Sequence, residues 1–195
     1  MFELTRGGGI IDNFLVKKRA NAVERLIPNK LRKGRILDLG CGRIPFFLIN
    51  TKFKEKYGVD PSLKRIDSQN MILKKFFLDH KTKLPFKNNF FDVIIMLAVF
   101  EHIEPNHLTD ILKEIKRILK PNGIFILTTP CPWIDWLNKL MSKLRMTSTI
   151  EAQEHKGVYN KSLIFNYFSK AGFKKDKMNF GYFGMFLNSW AYVYK

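Results

Sequence analysis

Residues 35–60 constrain the fold of this chain more than any other stretch. They read RILDLGCGRIPFFLINTKFKEKYGVD, two apolar runs that each contain or end in an acid, separated by a glycine-rich turn and a Pro-started apolar segment. Glycines let a loop approach a ligand closely, and proline fits the first turn of a helix. The order therefore predicts a strand–loop–helix–strand unit of the kind that binds nucleotide-containing cofactors.

The remaining chain continues this alternation of strands and helices. Apolar spacing of three to four residues predicts helices over 12–27 and 107–119, and continuous apolar runs predict buried strands over 90–99 and 123–129. A third short strand is predicted over 74–79, and an antiparallel pair over 173–182 and 189–195. The pattern predicts an α/β fold of three layers with a doubly wound, mostly parallel sheet and a C-terminal antiparallel strand.

Composition indicates a packed globule without a membrane span. The 195 residues are 46% hydrophobic, and the longest uninterrupted apolar run has eight residues, against roughly 20 needed to cross a bilayer. Two cysteines without a CxxC motif predict neither a disulfide framework nor a metal site. No signal peptide is recognisable at the N-terminus, so a cytoplasmic location is expected.

The net charge of +17 is unevenly distributed. Residues 1–65 carry +9, residues 66–130 carry +2 and residues 131–195 carry +6. A basic excess of this kind favours an anionic partner, either nucleic acid or a membrane surface. A general enrichment in lysine explains the same excess without any partner.

The glycine loop distinguishes between cofactors. A dinucleotide fingerprint GxGxxG would place its third glycine at position 45, which is Pro45, so NAD and FAD are disfavoured. Asp38 precedes the first glycine by two residues. A carboxylate there suits a positively charged ligand better than a pyrophosphate.

On these residues the sequence resembles the class I S-adenosylmethionine-dependent methyltransferases, in the small-molecule subgroup called type 11. Asp38, Gly40 and Gly42 match the pattern (D/E)xGxGxG, whose last glycine is Ile44 here. Residues 84–103, LPFKNNFFDVIIMLAVFEHI, match an "LPF…FD…EH" block. Residues 118–130, ILKPNGIFILTTP, match the "LKPGG" segment that leads into a strand in this family, with Asn122 in place of its first glycine.

The resemblance implies a Rossmann-like sheet of seven strands, S-adenosyl-L-methionine as cofactor and S-adenosyl-L-homocysteine as product. It implies that Asp38, Gly40 and Gly42 hold the cofactor and that Asp60 binds its ribose. The adenine of the cofactor would meet Asp79 and the backbone N–H of His80, with Leu97 on the wall of the site. It also implies one domain over 1–195: an N-terminal helical extension (1–34), a cofactor-binding core (35–130), a substrate lid (131–160) and a C-terminal helix and hairpin (161–195).

The acceptor is less constrained than the methyl donor. No (D/N/S)PP(Y/F) motif follows the strand over 90–99, which disfavours methylation of exocyclic amines in nucleic acid and favours a small-molecule acceptor. His155 is the candidate general base or substrate hydrogen-bond partner, with His102 and Tyr159 as alternatives. Residues 133–145, from Trp133 to Arg145, predict either a lid helix or a basic amphipathic helix that contacts an anionic membrane and admits a hydrophobic acceptor, such as a quinone precursor or an envelope glycan or lipid intermediate.

Two other functions stay open at this stage. The basic flanks would serve an RNA-modifying methyltransferase, although no RNA-binding module is recognisable. A non-catalytic relative that binds S-adenosylmethionine is the other alternative, because Ile44 departs from the pattern and no base is obvious.

Overall fold

In the computed structural model, residues 10–64, 70–78, 83–133 and 156–195 are described, with side chains from residue 14 onward. Within them lie seven strands: Arg35–Leu39 (β1), Glu55–Val59 (β2), Met71–Lys74 (β3), Phe91–Leu97 (β4), Leu119–Pro130 (β5), Met178–Phe183 (β6) and Asn188–Tyr194 (β7). The α-helices of the same ranges are Ile10–Leu26 (α1), Phe46–Asn50 (α2), Leu108–Ile118 (α3) and Lys161–Lys170 (α4). No helix of these ranges is long and apolar enough to span a bilayer.

The strands form one sheet in the order β3-β2-β1-β4-β5-β7-β6. Neighbouring strands from β3 to β5 are parallel, and β7 runs antiparallel to both β5 and β6. This confirms the predicted fold class. The chain order reverses between β1 and β4, and in sheets of this kind ligands bind in the crevice beyond the carboxyl ends of the strands at that point.

Helices cover both faces of the sheet, which produces three layers. Along β1, β4 and β5, successive side chains alternate between two core clusters, as the period-two geometry of a strand requires. One cluster packs under α1 and α2. The other packs under α3 and α4, where α3 contributes an apolar stripe at helical spacing: Leu108, Ile111, Leu112, Ile115 and Ile118.

Three boundaries differ from those predicted. The sixth strand is Met178–Phe183 rather than 173–182, because Lys175–Lys177 form a 3-10 turn ahead of it. The third strand is Met71–Lys74 rather than 74–79, because Phe76 and Leu78 pack against the core from a non-strand segment instead of pairing. The fifth strand begins at Leu119, where α3 ends, and a register shift follows between Phe91 and Val93 of β4. Asn122 adopts φ of +62° within this irregularity, a left-handed conformation that Asn tolerates better than most residues.

Asp92 ties together the ends of the strands opposite the predicted site. Its Oδ2 accepts hydrogen bonds from the backbone N of Arg35 at 2.8 Å and from Nζ of Lys120 at 2.7 Å. A Cβ on Gly34 would lie 2.1 Å from the same oxygen. Only glycine fits at position 34, because Asp92 occupies the space that a side chain would need.

Candidate functional site

The loop that follows β1 adopts a left-handed backbone at its two glycines. Gly40 and Gly42 have φ of +78° and +76°, which a side chain would make costly. A Cβ on Gly40 would lie 2.4 Å from Cγ2 of Val99, whereas the nearest described atom to a Cβ on Gly42 would be 3.8 Å away. Packing therefore requires glycine at position 40, and the backbone at position 42 borders open space.

Asp60, directly after β2, fixes this loop. Its Oδ2 accepts a hydrogen bond from the backbone N of Gly42 at 2.9 Å. Its Oδ1 accepts from the backbone N and the Oγ of Ser62, at 2.7 and 2.5 Å. A carboxylate has about four acceptor sites, so the protein fills three of them and leaves capacity for one further donor.

Asp38 is a buried acid beside a cavity. Its side chain is 3% exposed and lines a cavity of about 210 Å³. Among the described residues its Oδ1 has no hydrogen-bond partner. Burial, and then the negative charge of Asp60, raises the pKa of Asp38 to about 8. An unpartnered buried carboxyl costs folding free energy, so Asp38 opposes stability at this position and has an acceptor oxygen that no described group uses.

Four parts of the chain line this cavity at the reversal point of the sheet. They are the glycine loop with the start of α2, Ser62 after β2, the end of β4 with its following loop (Leu97, Ala98 and Val99), and one face of α1 (Arg19 and Ala20). An acidic and a basic residue therefore belong to the same wall. Such a pair suits a ligand that carries both an ammonium and a carboxylate.

A family model described as a methyltransferase domain matches residues 13–177, which is most of the chain. The chain belongs to this methyltransferase family. Among curated relatives, an uncharacterised protein of Methanocaldococcus jannaschii is 37% identical over 97 residues, which are 47% of this chain and 38% of that protein. The chain spans about half the length, or less, of the curated relatives it matches.

Solved structures show the same fold at low sequence identity. A Thermotoga maritima protein described as an S-adenosylmethionine-dependent methyltransferase and possible histamine N-methyltransferase has a TM-score of 0.66 and 20% identity, with 92% of this chain and 88% of that chain covered. A Haloferax volcanii putative methyltransferase in complex with the Trm112 methyltransferase activator has a TM-score of 0.69 and 14% identity, with 94% and 92% covered.

Family membership confirms three predictions: the methyltransferase class, the Rossmann-like fold and S-adenosylmethionine as the cofactor. The residues of the cavity fit that cofactor. Its amino-acid end carries an ammonium and a carboxylate, which match the unpartnered oxygen of Asp38 and the guanidinium of Arg19. Gly42 leaves room for its close approach to the loop backbone.

The predicted cofactor residues fall into three groups. The cavity wall brings together Asp38, Gly40, Gly42 and Leu97. Asp60 is not part of that wall. It accepts a hydrogen bond from the backbone N of Gly42 in the glycine loop, and its predicted contact with the ribose stays a prediction. The predicted roles of Asp79, His80 and His155 stay predictions, because these residues lie outside the part of the chain that the structure describes.

Sequence reasoning missed several residues of the wall, among them Arg19 and Ala98. Arg19 belongs to α1, and helical periodicity alone does not show that this helix lies over the glycine loop. Ala98 has φ of +52°, and its backbone N donates to the backbone O and Oγ1 of Thr128 at 3.0 and 3.2 Å. No sequence signal marks an alanine for this strained conformation.

A second pair of buried polar groups lies just beyond β4. Glu101 is 2% exposed and Tyr159 is 3% exposed. Within the described chain, Oε2 of Glu101 and Oη of Tyr159 have no hydrogen-bond partner. Burial raises the pKa of Glu101, and it raises the pKa of Tyr159 to about 12. Residues 97–99 of the same strand end line the cavity, and Glu101 follows them by two residues in the chain.

Cys41 is excluded as a nucleophile. Its thiol is buried in the loop, and burial together with the charges of Asp38 and Asp60 raises its pKa far above the physiological range. Because the thiolate is the reactive form, Cys41 serves packing. Across the described segments no group of His, Cys, Asp and Glu could hold a metal ion.

Proposed function

We propose that this chain transfers a methyl group from S-adenosylmethionine to a small, hydrophobic or membrane-associated acceptor. The observation that carries the proposal is the unpartnered, buried Oδ1 of Asp38 on the wall of a cavity at the reversal point of the sheet. Quinone precursors and envelope glycan or lipid intermediates are the acceptor classes we favour. The domain division at residues 34, 130 and 160, with 131–160 as a substrate lid, is part of this proposal.

Positioning is the main task of the protein in such a reaction. The bound cofactor supplies an electrophilic methyl group on a sulfonium sulfur. Asp38 accepts hydrogen bonds from its ammonium, Arg19 binds its carboxylate, and the backbone of Gly40 and Gly42 fixes the distance between them. Leu97 and Val99 exclude water from the apolar side of the cavity. Alignment of this kind lowers the barrier because the reacting groups are held at near-attack distance.

Two residues are candidates for taking a proton from the acceptor. His155 is the candidate from the sequence. Glu101 is the candidate from the structure, because its free oxygen is buried beside Tyr159 and burial shifts its pKa towards neutrality. The neighbouring backbone supports this assignment: the N of Lys156 donates to the O of Glu101 at 2.7 Å.

Calorimetric titration with S-adenosylmethionine, S-adenosylhomocysteine and NAD tests the cofactor part of the proposal. We expect binding of the first two and none of NAD, and we expect Asp38→Asn to lose that binding. Tight NAD binding, or no binding of the two sulfur compounds to wild-type protein, would contradict it.

Methyl-labelled cofactor then identifies the acceptor class. The protein is incubated with the label and with three separate cell fractions: solvent-extracted lipids, water-soluble metabolites and RNA. We expect label in the lipid fraction. Label in RNA would favour the alternative of an RNA-modifying enzyme. Cofactor binding without transfer to any fraction would favour a non-catalytic relative.

A further inference from the structure

The turn between β6 and β7 departs from the residue preferences of its own backbone. Residues 184–187 form a four-residue turn, closed by a hydrogen bond from the N of Leu187 to the O of Gly184 at 3.2 Å. Its central residues, Met185 and Phe186, have φ of +58° and +64°, the pattern of a type I′ turn. Asn and Gly are preferred there because bulky residues are strained in a left-handed backbone.

The same two residues are the most solvent-exposed apolar side chains near this turn. Met185 is 89% exposed and Phe186 is 64% exposed. Tyr182 and the half-exposed Trp133 extend the surface, with ring centroids 5.6 Å apart for Tyr182 and Phe186 and 5.8 Å apart for Trp133 and Tyr182. We call Trp133, Tyr182, Met185 and Phe186 the apolar tip. Strain and apolar exposure therefore coincide at a place where two small polar residues would avoid both.

The hairpin that carries the apolar tip has no charge at all. Residues 178–194 are 17 consecutive residues without Lys, Arg, Asp or Glu, although the chain as a whole is strongly basic. Edge strands of soluble sheets usually carry charges that prevent association. β6 is the terminal strand of the sheet and lacks that protection.

The apolar tip lies at the same edge of the sheet as the cofactor cavity. Asn188, at the start of β7, pairs with Pro130 at the carboxyl end of β5, and the N of Cys131 donates to the O of Leu187 at 3.1 Å. The turn therefore extends past the carboxyl ends of the parallel strands, beyond which the glycine loop also lies.

Exposed cations occupy the other end of this edge. The loops that follow β1, β2 and β3 carry the exposed side chains Arg43, Lys64 and Lys75. Strands are spaced about 4.8 Å apart, so an edge of seven strands is about 29 Å long. It has the apolar tip at one end, Lys64 and Lys75 towards the other, and the cavity, whose wall includes Arg43, between them.

We propose that this edge docks on an anionic lipid bilayer, with the apolar tip inserted at the headgroup–acyl boundary and the cations against lipid phosphates. Apolar side chains and basic residues together give peripheral binding of this kind. A bilayer accepts a convex protrusion, whereas a stable protein interface needs about 800 Å² of matched surface on each partner, more than four side chains at a turn provide.

Docking in this way turns the cavity towards the membrane. It rests on the proposed function in one respect, that the acceptor is membrane-associated; the binding itself requires no turnover. The sequence predicted membrane contact through residues 133–145, of which Trp133 is described and belongs to the apolar tip. The hairpin supplies the remaining contacts of the tip; the hairpin itself was predicted from the sequence, but its part in membrane contact was not.

Vesicle flotation with the full chain tests the proposal. Vesicles of phosphatidylcholine alone are compared with vesicles containing about one third phosphatidylglycerol, at low and high salt. We expect flotation with the anionic vesicles and weaker flotation at high salt. The double substitution Met185→Asn with Phe186→Gly installs the preferred type I′ pair, so we expect it to keep or raise the melting temperature while lowering vesicle binding by about tenfold or more.

Matched controls distinguish the effect of the apolar tip on flotation from the effects of exposed apolar or basic side chains elsewhere on the molecule. Ile49→Ser removes a side chain of 47% exposure from α2, outside the apolar tip, and should leave flotation unchanged. Lys64→Gln with Lys75→Gln should weaken flotation. Lys52→Gln with Lys54→Gln, an equal charge change in the loop that enters β2, should not.

Each outcome decides the proposal. Loss of flotation in the tip variant, with retained melting temperature and retained binding of S-adenosylhomocysteine, would support it. Wild-type protein that fails to float, a tip variant that floats like wild type, or salt-dependent binding of RNA in preference to anionic vesicles would overturn it. Binding of S-adenosylhomocysteine in solution is measured separately, so failure of membrane docking and failure of the proposed methyltransferase function are distinguishable.

Discussion

At the scale of single residues, Asp38 opposes folding at neutral pH. The carboxyl is ionised in the unfolded chain above its ordinary pKa of 3.8 but stays protonated in the fold up to about pH 8. Because the native state holds the extra proton, the contribution of Asp38 to stability is greatest below pH 4 and falls as the pH rises towards 8. The slope is about 1.4 kcal/mol per pH unit where only the folded form is protonated.

Asp38→Asn should remove this destabilisation at neutral pH and should also remove cofactor binding. Urea unfolding should give equal stability for wild type and variant near pH 4 and a more stable variant at pH 8. Calorimetry should show that the variant no longer binds S-adenosylhomocysteine. A variant that is less stable at pH 8 would mean that Asp38 has a structural partner, and the ligand-binding role would then lose its support.

Alanine substitutions at the two loop glycines should have different effects on stability and on cofactor binding. Gly40→Ala brings a Cβ to 2.4 Å from Val99 in addition to the left-handed backbone, so we expect a loss of about 2 kcal/mol or more. Gly42→Ala has the same backbone strain without the clash and should cost about 1 kcal/mol, while its methyl group projects where the cofactor approaches. Urea unfolding and titration with S-adenosylhomocysteine measure both effects. Equal losses of stability would contradict the assignment of Gly42 to the cofactor.

At the scale of secondary-structure elements, Asp92 joins β1, β4 and β5 at the edge opposite the site. Asp92→Asn keeps an acceptor for the backbone N of Arg35 but removes the charge that faces Lys120. We expect a loss of about 1–2 kcal/mol in urea unfolding with cofactor affinity unchanged. As a matched comparison, Asp38→Asn should raise the stability at pH 8 and abolish cofactor binding. A large loss of affinity in Asp92→Asn would show that the two edges of the sheet are coupled.

The sequence predicts an element well where its signal is local and repetitive. The apolar stripe of α3 and the continuous runs of β4 and β5 place those elements within a few residues. β3 was misplaced because the apolar Phe76 and Leu78 suggested a strand, whereas the actual strand is a short edge strand with Ile72 59% exposed. Asn160 caps α4, because its Oδ1 accepts a hydrogen bond from the N of Leu163 at 2.9 Å.

Features that depend on long-range packing were not predictable in this way. The motif around Asp38 indicated the cofactor, but its missing hydrogen-bond partner is visible only once β1 is buried. Arg19 enters the site because α1 folds over the glycine loop. The turn at Met185 and Phe186 violates the sequence preference of its own geometry, and such violations concentrate at functional positions.

At the scale of the whole molecule, cofactor binding should raise global stability. A ligand that binds only the native state adds about 2.7 kcal/mol at a hundredfold excess over its Kd. For a domain of this size each kcal/mol shifts the melting temperature by about 2–4 °C. S-adenosylhomocysteine at that excess should therefore raise the melting temperature by about 5–10 °C, and NAD at equal concentration should leave it unchanged.

Asp38→Asn is the control and should show no shift with either ligand. A shift that survives in Asp38→Asn would place the ligand elsewhere on the molecule, and a shift with NAD alone would contradict the cofactor assignment.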